Sequence, residues 1–452
     1  MAGIQDGQQV EVTVEGISAE GQGIGRTQGR VCFVSGTLPG ERVRARITHA
    51  GGGRLFAECA EVLSPSPDRV APACPVYGRC GGCQLMHARY PAQLALKQRI
   101  VSDTLRSVAG VVLPDLAAIL GAESELGYRN RGQYPVAFQQ GRTVTGFFAA
   151  RSHEVIAVDS CALHDPRVDE AVRGVRAWAR HKKVSIYDET RHEGWLRHIV
   201  VRVAPGTGEI LVVLVGASEQ SEGVPDLVRR LRRGSSQVVG IGLNLNPERT
   251  NVILGKRTLA LWGRAHAEDS FFDLRFRLSP GSFFQVNTAQ ARVLFEQVRG
   301  FVRESDGPVL DAYCGVGVLA LILAKDGRET VGIEMDGEAV RDAYATAQAN
   351  GLSRVSFSEG RVEKVLPRMV AQGFRPGCIV LDPPRKGCAT EVLSAVAESG
   401  ASRLAYVSCH PGTLARDLVQ LFAQGFRLET LRAVDMFPQT CHVELFAGLV
   451  RG

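Results

Sequence analysis

Strict alternation of apolar and polar residues dominates the first sixty positions. Val10, Val12 and Val14 alternate with polar neighbours, Gly21 to Gly25 is a glycine-rich turn, and Val31 to Val34 is a short apolar run. Val43, Ala45 and Ile47 then alternate with Arg42, Arg44 and Arg46. A period of two puts successive side chains on opposite faces of a strand. Residues 1–64 are therefore expected to form a small β-barrel of short strands joined by Gly and Pro turns. The three arginines share the face opposite the apolar residues, and residues 21–57 hold six arginines against one glutamate. Such a face is either a solvated strand surface or a groove that holds nucleic-acid phosphates. Ser64-Pro65-Ser66-Pro67 reads as a linker, because proline removes backbone donors and keeps the chain extended.

From residue 65 to 278 the pattern is mixed. Ala92 to Val108 has helical spacing, with Leu94, Val101, Leu105 and Val108 on one face. Strand-like runs follow at Glu154–Val158, His198–Val203 and Glu209–Val215, and Arg229, Arg230, Arg232 and Arg233 fall on an expected helix as a solvated face. From 279 to 452 strand and helix alternate: strands at Pro308–Ala312, Thr330–Glu334, Cys378–Leu381 and Arg403–Val407, helices at Val318–Ala324 and Glu338–Ala349, the latter closed by Asn350-Gly351. Arg427–Val434 and Val443–Val450 are expected to pair antiparallel. Repeated β-α units imply a parallel sheet covered by helices, with ligands at the carboxyl ends of its strands. The expected class is α/β: a Rossmann-like C-terminal domain (279–452), an N-terminal barrel (1–64) and a mixed α+β central domain (65–278), whose helix 92–108 packs on the C-terminal domain.

Composition narrows the function classes. The 452 residues are 45% hydrophobic and 22% charged, which excludes collagen-like, coiled-coil and mostly disordered chains. No run reaches the roughly 18–20 apolar residues of a membrane span, and the first ten residues lack the build of a signal peptide, so no membrane partner and a cytoplasmic location are expected. A net charge of +6 permits an acidic partner without requiring one. The eleven cysteines are read as metal ligands or catalytic groups rather than as a disulfide framework.

Three strand ends carry candidate chemistry. Val309 to Ala320 is an apolar strand, a glycine turn (Gly315, Gly317) and a helix start, and Glu334 closes the next strand about 20 residues on, where its carboxylate can accept hydrogen bonds from ribose hydroxyls. This fits a dinucleotide or an S-adenosylmethionine site. Asp382 ends another strand beside two prolines, and Cys409 ends the next. Cys74, Cys80 and Cys83 are three soft ligands within ten residues. With Cys161 they would make a four-thiolate set that suits zinc or an iron–sulfur cluster.

Ser282-Phe283-Phe284-Gln285-Val286-Asn287, Asp311 to Gly317, Asp382-Pro383-Pro384-Arg385, Ser408-Cys409-His410-Pro411 and His442-Val443-Glu444 occur in this order. Together they resemble the bacterial S-adenosylmethionine-dependent RNA uracil-C5 methyltransferases over nearly the whole chain. The resemblance implies that the barrel is a TRAM module with an OB-like, RNA-binding fold. It implies that Cys74, Cys80, Cys83 and Cys161 hold a [4Fe–4S] cluster, and that Gln285, Tyr313, Gly315, Gly317, Glu334 and Asp382 bind the cofactor and target base. It further implies that Cys409 is the nucleophile and Glu444 the base, with Phe283 and Phe284 available to stack on RNA bases. Barrel and cysteine set together resemble the branch that makes 5-methyluridine in 23S rRNA. The rival readings are a tRNA uridine-C5 methyltransferase and an inactive RNA-binding iron–sulfur protein. The enzyme is expected to be a monomer. Two positions depart from the family pattern: His410 stands where Asn is usual, and Glu359-Gly360-Arg361 stands where an Asn or Asp often lies near the adenine.

Overall fold

The structure is a computed structural model that describes residues 4–111, 118–219 and 223–451. The N-terminal strands β1 (Gln9–Ile17), β2 (Gly23–Thr27), β3 (Arg30–Ser35), β4 (Arg42–Gly51) and β5 (Arg54–Ser64) close into a barrel in the order β1-β2-β3-β5-β4. The alternation works as expected: Val10, Val12, Val14, Val43, Ala45 and Ile47 fill its interior. The arginine face is partly neutralised. Arg44 and Arg46 of β4 pair with Glu61 and Glu58 of β5, which lie just past the arginine-rich stretch and opposite it in register. Glu41, between β3 and β4, is buried, is bound by Arg69 at 2.5 Å and accepts the Ser66 amide, which anchors the Ser64–Pro67 linker to the barrel.

The middle of the chain contains α1 (Tyr90–Ala109), β6 (Arg131–Gln139), β7 (Arg142–Phe148), β8 (Val155–Ala157), α2 (Pro166–His181), β9 (Leu196–Val203), β10 (Ile210–Gly216), α3 (Val224–Gly234), β11 (Val238–Leu245) and β12 (Arg257–Gly263). The sheet runs β12-β11-β10-β9-β6-β7-β8, and α2 and α3 cover one face of it. On α3, Arg229 pairs with Asp226 and Arg232 lies over the Trp262 ring. Val101 and Leu105 of α1 enter a core shared with the C-terminal sheet, whereas Val108 is exposed.

The hairpin β13 (Ala267–Phe271) and β14 (Leu274–Leu278) puts Phe271, Leu274, Phe276 and Leu278 into the C-terminal core, so the expected boundary at 278/279 falls inside one packed unit that begins at or before this hairpin. The remaining elements are α4 (Thr288–Arg303), β15 (Val309–Ala312), α5 (Val318–Lys325), β16 (Thr330–Glu334), α6 (Gly337–Ala349), β17 (Val355–Glu359), α7 (Val362–Ala371), β18 (Cys378–Leu381), α8 (Thr390–Glu398), β19 (Arg403–Ser408), α9 (Pro411–Ala423), β20 (Phe426–Val434) and β21 (Glu444–Arg451). Their sheet order is β17-β16-β15-β18-β19-β21-β20, with β21 antiparallel between β19 and β20. Residues of β15 alternate between two cores, Val309 on one face and Leu310 and Ala312 on the other, as a doubly covered sheet requires. The strand order reverses between β15 and β18, and in such sheets that crevice takes the ligand.

Candidate active site

The turn after β15 is built by backbone conformation. Tyr313, Gly315 and Gly317 all have positive φ (66°, 56° and 74°). A Cβ on Gly317 would stand 2.7 Å from the Phe357 ring, so only glycine lets α5 start there. Asp311, buried inside the turn, accepts the Ala320 amide at 3.0 Å. Burial first, then the nearby Asp382 charge, pushes its carboxyl up to about 8. Glu334 accepts the Gly315 amide at 3.0 Å and the Asp336 amide at 2.8 Å, which fixes its carboxylate at the mouth of the turn. The Ser279–Asn287 loop is held from two sides. Ser279 and Ser282 hydroxyls donate to Asp342 of α6 at 2.9 and 2.7 Å, while Arg202 donates to the Ser282 carbonyl and Asn130 to the Gln285 carbonyl.

These pieces converge. Gln285, Tyr313, Gly315, Glu334, Asp382, Cys409 and Glu444 line one cavity of about 850 Å³. Gly317 does not line it; its part is to allow close packing behind the turn. Register explains how two residues far apart in sequence meet: Ser408 of β19 faces Leu445 of β21, so Glu444 enters its strand beside Cys409. Glu444 is buried and its Oε2 has no hydrogen-bond partner. Burial, then the Asp382 charge, holds its carboxyl well above the usual carboxylate range against the opposing pull of Arg385. The Cys409 thiol is pushed up to about 11 by burial and then by Glu444 and Asp382, with Arg385 again opposing. Burial raises Asp382 to about 6. The thiol therefore keeps its proton at neutral pH.

His410 explains itself as the N-cap of α9. Its Nδ1 accepts the Thr413 amide at 3.2 Å, as an Asn side-chain oxygen would, and the Ser408 hydroxyl bonds both the amide and the carbonyl of His410. The turn that presents Cys409 thus survives the change of residue. The cavity also takes in Met335, Gly360, Arg361, Phe437 and His442, of which the sequence motifs include Gly360, Arg361 and His442 but neither Met335 nor Phe437. Met335 follows Glu334 and is 68% exposed, an apolar side chain left open beside that carboxylate. His442 lies 3.4 Å from Arg385, and burial with that neighbouring charge lowers it to about 4, so it is neutral. The two phenylalanines part ways: Phe284 is core, while Phe283 is exposed and lines both this cavity and a second one.

That second cavity, about 430 Å³, gathers Cys74, Cys80, Cys83 and Cys161 with Arg129 and Arg131. Burial and then the other thiols raise Cys83 to about 12, and burial raises Cys161 to about 11. Arg129 and Arg131 each leave a buried Nε without a partner. Four soft donors facing orphaned cations fit an anionic thiolate–metal group in chemistry. They are not arranged as ligands, however: among the described residues no group of three or more His, Cys, Asp or Glu side chains is placed to hold a metal ion. The expected set is gathered in one place without ligand geometry.

Comparison with known proteins agrees with the site. Residues 264–451 match the tRNA (Uracil-5-)-methyltransferase family and residues 5–60 match the TRAM domain. An uncharacterized RNA methyltransferase of Halalkalibacterium halodurans is 40% identical over 441 residues, 97% of this chain and 96% of its own length. One from Listeria innocua is 38% identical over 448 residues, 98% and 97% of the two chains. The crystal structure of Pyrococcus abyssi tRNA (uracil-54, C5)-methyltransferase in complex with S-adenosyl-L-homocysteine superposes with a TM-score of 0.79 at 25% identity, covering 97% of this chain and 99% of that one. The chain belongs to the S-adenosylmethionine-dependent RNA (uracil-5-)-methyltransferases.

Proposed function

We propose that the enzyme methylates C5 of a specific uridine in 23S rRNA through a covalent bond between Cys409 and C6 of the base. The single observation that carries this reading is the shared cavity in which the Cys409 thiol and the unpartnered, buried Glu444 carboxyl face the strand ends of a nucleotide-type turn. Glu334 would hold the ribose of the cofactor and the glycine turn would let its backbone approach. S-adenosylmethionine supplies an electrophilic methyl group on a sulfonium cation.

Both groups act in their ionised forms, their protons passing to solvent as the base docks: Cys409 adds its sulfur to C6, the C5=C6 pair becomes C4=C5 and the C4=O4 pair moves to O4 as an enolate, which makes C5 a nucleophile. Once C5 has taken the methyl group, the Glu444 carboxylate removes the C5 proton, the C5=C6 bond re-forms and the Cys409–C6 bond breaks with sulfur leaving as the thiolate. Asp382 orients the uracil edge. Arg385 is the cation that opposes the raised thiol and carboxyl, so docking of the base beside it favours the thiolate. Phe283 is placed to fill the stack left by the flipped base. Cys74, Cys80, Cys83 and Cys161 would hold a [4Fe–4S] cluster with a structural role, and no step of methyl transfer runs through it.

A specific observation favours a second substrate. The Pyrococcus enzyme named for a tRNA uridine aligns over 97% of this chain, barrel included, so the barrel does not separate rRNA from tRNA. What supports rRNA is the cysteine set. Mapping 5-methyluridine in rRNA and tRNA from cells with and without the gene decides: loss of a 23S site supports the proposal, loss confined to tRNA replaces it with the second reading, and loss from neither overturns both.

A further inference from the structure

The segment between β20 and β21, residues 435–443, carries Phe437 and His442 into the active-site cavity and delivers Glu444. It is irregular and largely buried, so its backbone groups need partners from elsewhere. One face of α1 holds two of them, the Phe437 carbonyl and the Gln439 amide, while the Leu120 backbone, Asn287, Gln290 and Tyr128 hold those of Asp435, Met436 and Pro438. Positions 93, 97, 101 and 105 form a stripe at four-residue spacing, and all four are buried. Val101 and Leu105 meet apolar core. Gln93 and Lys97 meet the segment instead.

Lys97 is the one buried lysine among the described residues. Its Nζ donates to Asp435 Oδ1 at 2.6 Å and to the Phe437 carbonyl at 3.0 Å, and Asp435 in turn accepts the Phe437 amide at 3.2 Å. One turn earlier, Gln93 donates to Gln439 Oε1 and accepts the Gln439 amide, both at 2.9 Å. Gln439 has φ of 71°, a left-handed conformation that a non-glycine residue keeps only when held. Its carbonyl also takes the Leu85 amide at 2.9 Å, just after the cysteine turn. A buried ion pair adds little stability over an apolar pair of the same volume, so its value here lies in where it puts the chain.

We infer that Lys97 and Gln93 are positioning residues for proton removal: by fixing 435–443 they aim the Glu444 carboxyl at C5 of the base. This rests on the reading of Glu444 as the base. In the step concerned, the C5–H bond breaks, the proton goes to Glu444, the electron pair re-forms C5=C6, and sulfur leaves as the Cys409 thiolate. A carboxyl displaced by about 1 Å slows that step by about 10²-fold while earlier steps proceed.

The test uses the full chain with RNA from gene-deleted cells and S-adenosylmethionine, following turnover, cofactor affinity and covalent enzyme–RNA complex on denaturing gels. Lys97→Met, and the charge-free pair Lys97→Met/Asp435→Leu in case the single variant does not fold, are expected to lose about 10²-fold in kcat. Their cofactor Kd should stay within about threefold of wild type, and covalent complex should accumulate as it does in Glu444→Gln. A role in stability alone would lower the melting temperature without that accumulation. Turnover at the wild-type rate in the double variant, or slow turnover without accumulated complex, overturns the inference. RNA from cells grown with 5-fluorouracil separates the two levels, because fluorine at C5 cannot leave as a proton. Wild-type enzyme that forms no covalent complex with it overturns the covalent reading itself, and wild-type trapping beside a fully active double variant overturns only the role of Lys97.

Discussion

Two neighbouring cavities share Phe283 and a common chemistry, thiols whose protons are held by burial, yet they are built by different means. The active-site cavity is assembled from the ends of hydrogen-bonded strands, so its groups are fixed by register: β15, β16, β18 and β19 run parallel and β21 slots in beside β19. The cysteine cavity is assembled from a loop, residues 74–83, tied to β7 through the Gly81 amide, and a second loop carrying Cys161, tied to α2 through Asp169, with no strand pairing between the two among the described residues. Sheet ends place side chains within the tolerance a reaction needs. Loops bring ligands to the same place and leave their final arrangement to whatever binds them.

The sharpest way to break this contrast is to remove one thiol from each cavity. Cys409→Ala is expected to abolish methyl transfer, by at least about 10³-fold, and all covalent RNA complex, with cofactor affinity kept. Cys83→Ser is expected to leave cofactor Kd within about threefold, since the sites are separately built, and, if the proposed cluster is held there, to remove iron from protein purified without oxygen. Equal loss of cofactor binding in both variants would show that the cavities are one unit.

Glu444→Gln is the next largest effect. It is expected to cut turnover by about 10²–10⁴-fold while raising the melting temperature. The sign follows from linkage. The carboxyl is raised in the folded protein above an unfolded value of about 4.3, so its stabilising proton is fully bound below that pH and its contribution is lost as pH rises through the folded value. Gln carries no such penalty. The gain in melting temperature measured by calorimetry should therefore be larger at pH 8 than at pH 5.

Alkylation of Cys409 in the cofactor-free protein tests the same burial from the other side. With the thiol at about 11, the rate followed by mass spectrometry should rise about tenfold per pH unit from 7 to 9 with no plateau. Levelling near pH 8.5 would mean that the cavity does not hold the proton. The smallest effect belongs to the turn that presents the thiol. His410→Asn should be nearly neutral, whereas His410→Ala loses a helix cap and about 1 kcal/mol in chemical denaturation.

Much of the catalytic domain was legible beforehand because its signals are local. The strands Thr330–Glu334 and Cys378–Leu381 and the helix stop at Asn350-Gly351 appear where alternation, apolar runs and turn residues put them. The strand-end residues that share the cavity were legible for the same reason, since in a parallel sheet the end of a strand is where ligands meet the chain. Met335 and Phe437 were not, because nothing in their own neighbourhoods marks them as facing a cavity. The partial neutralisation of the barrel's arginine face was not legible: Glu58 and Glu61 belong to a different strand, and only pairing brings them opposite Arg46 and Arg44.

The helix α1 shows the division most clearly. Its apolar positions alone suggested a face of Leu94, Val101, Leu105 and Val108, but Val108 is exposed and the buried stripe includes Gln93 and Lys97. Sequence by itself determined the alternation of elements, the glycine turn and the order of the chemical groups, because these depend on neighbours within a few residues. Tertiary structure alone decided that Glu444 meets Cys409, that a lysine is buried against residues 435–437, and that four cysteines share a cavity. Burial and partnership are set by chain segments far apart in sequence, and no local pattern encodes which segments will meet.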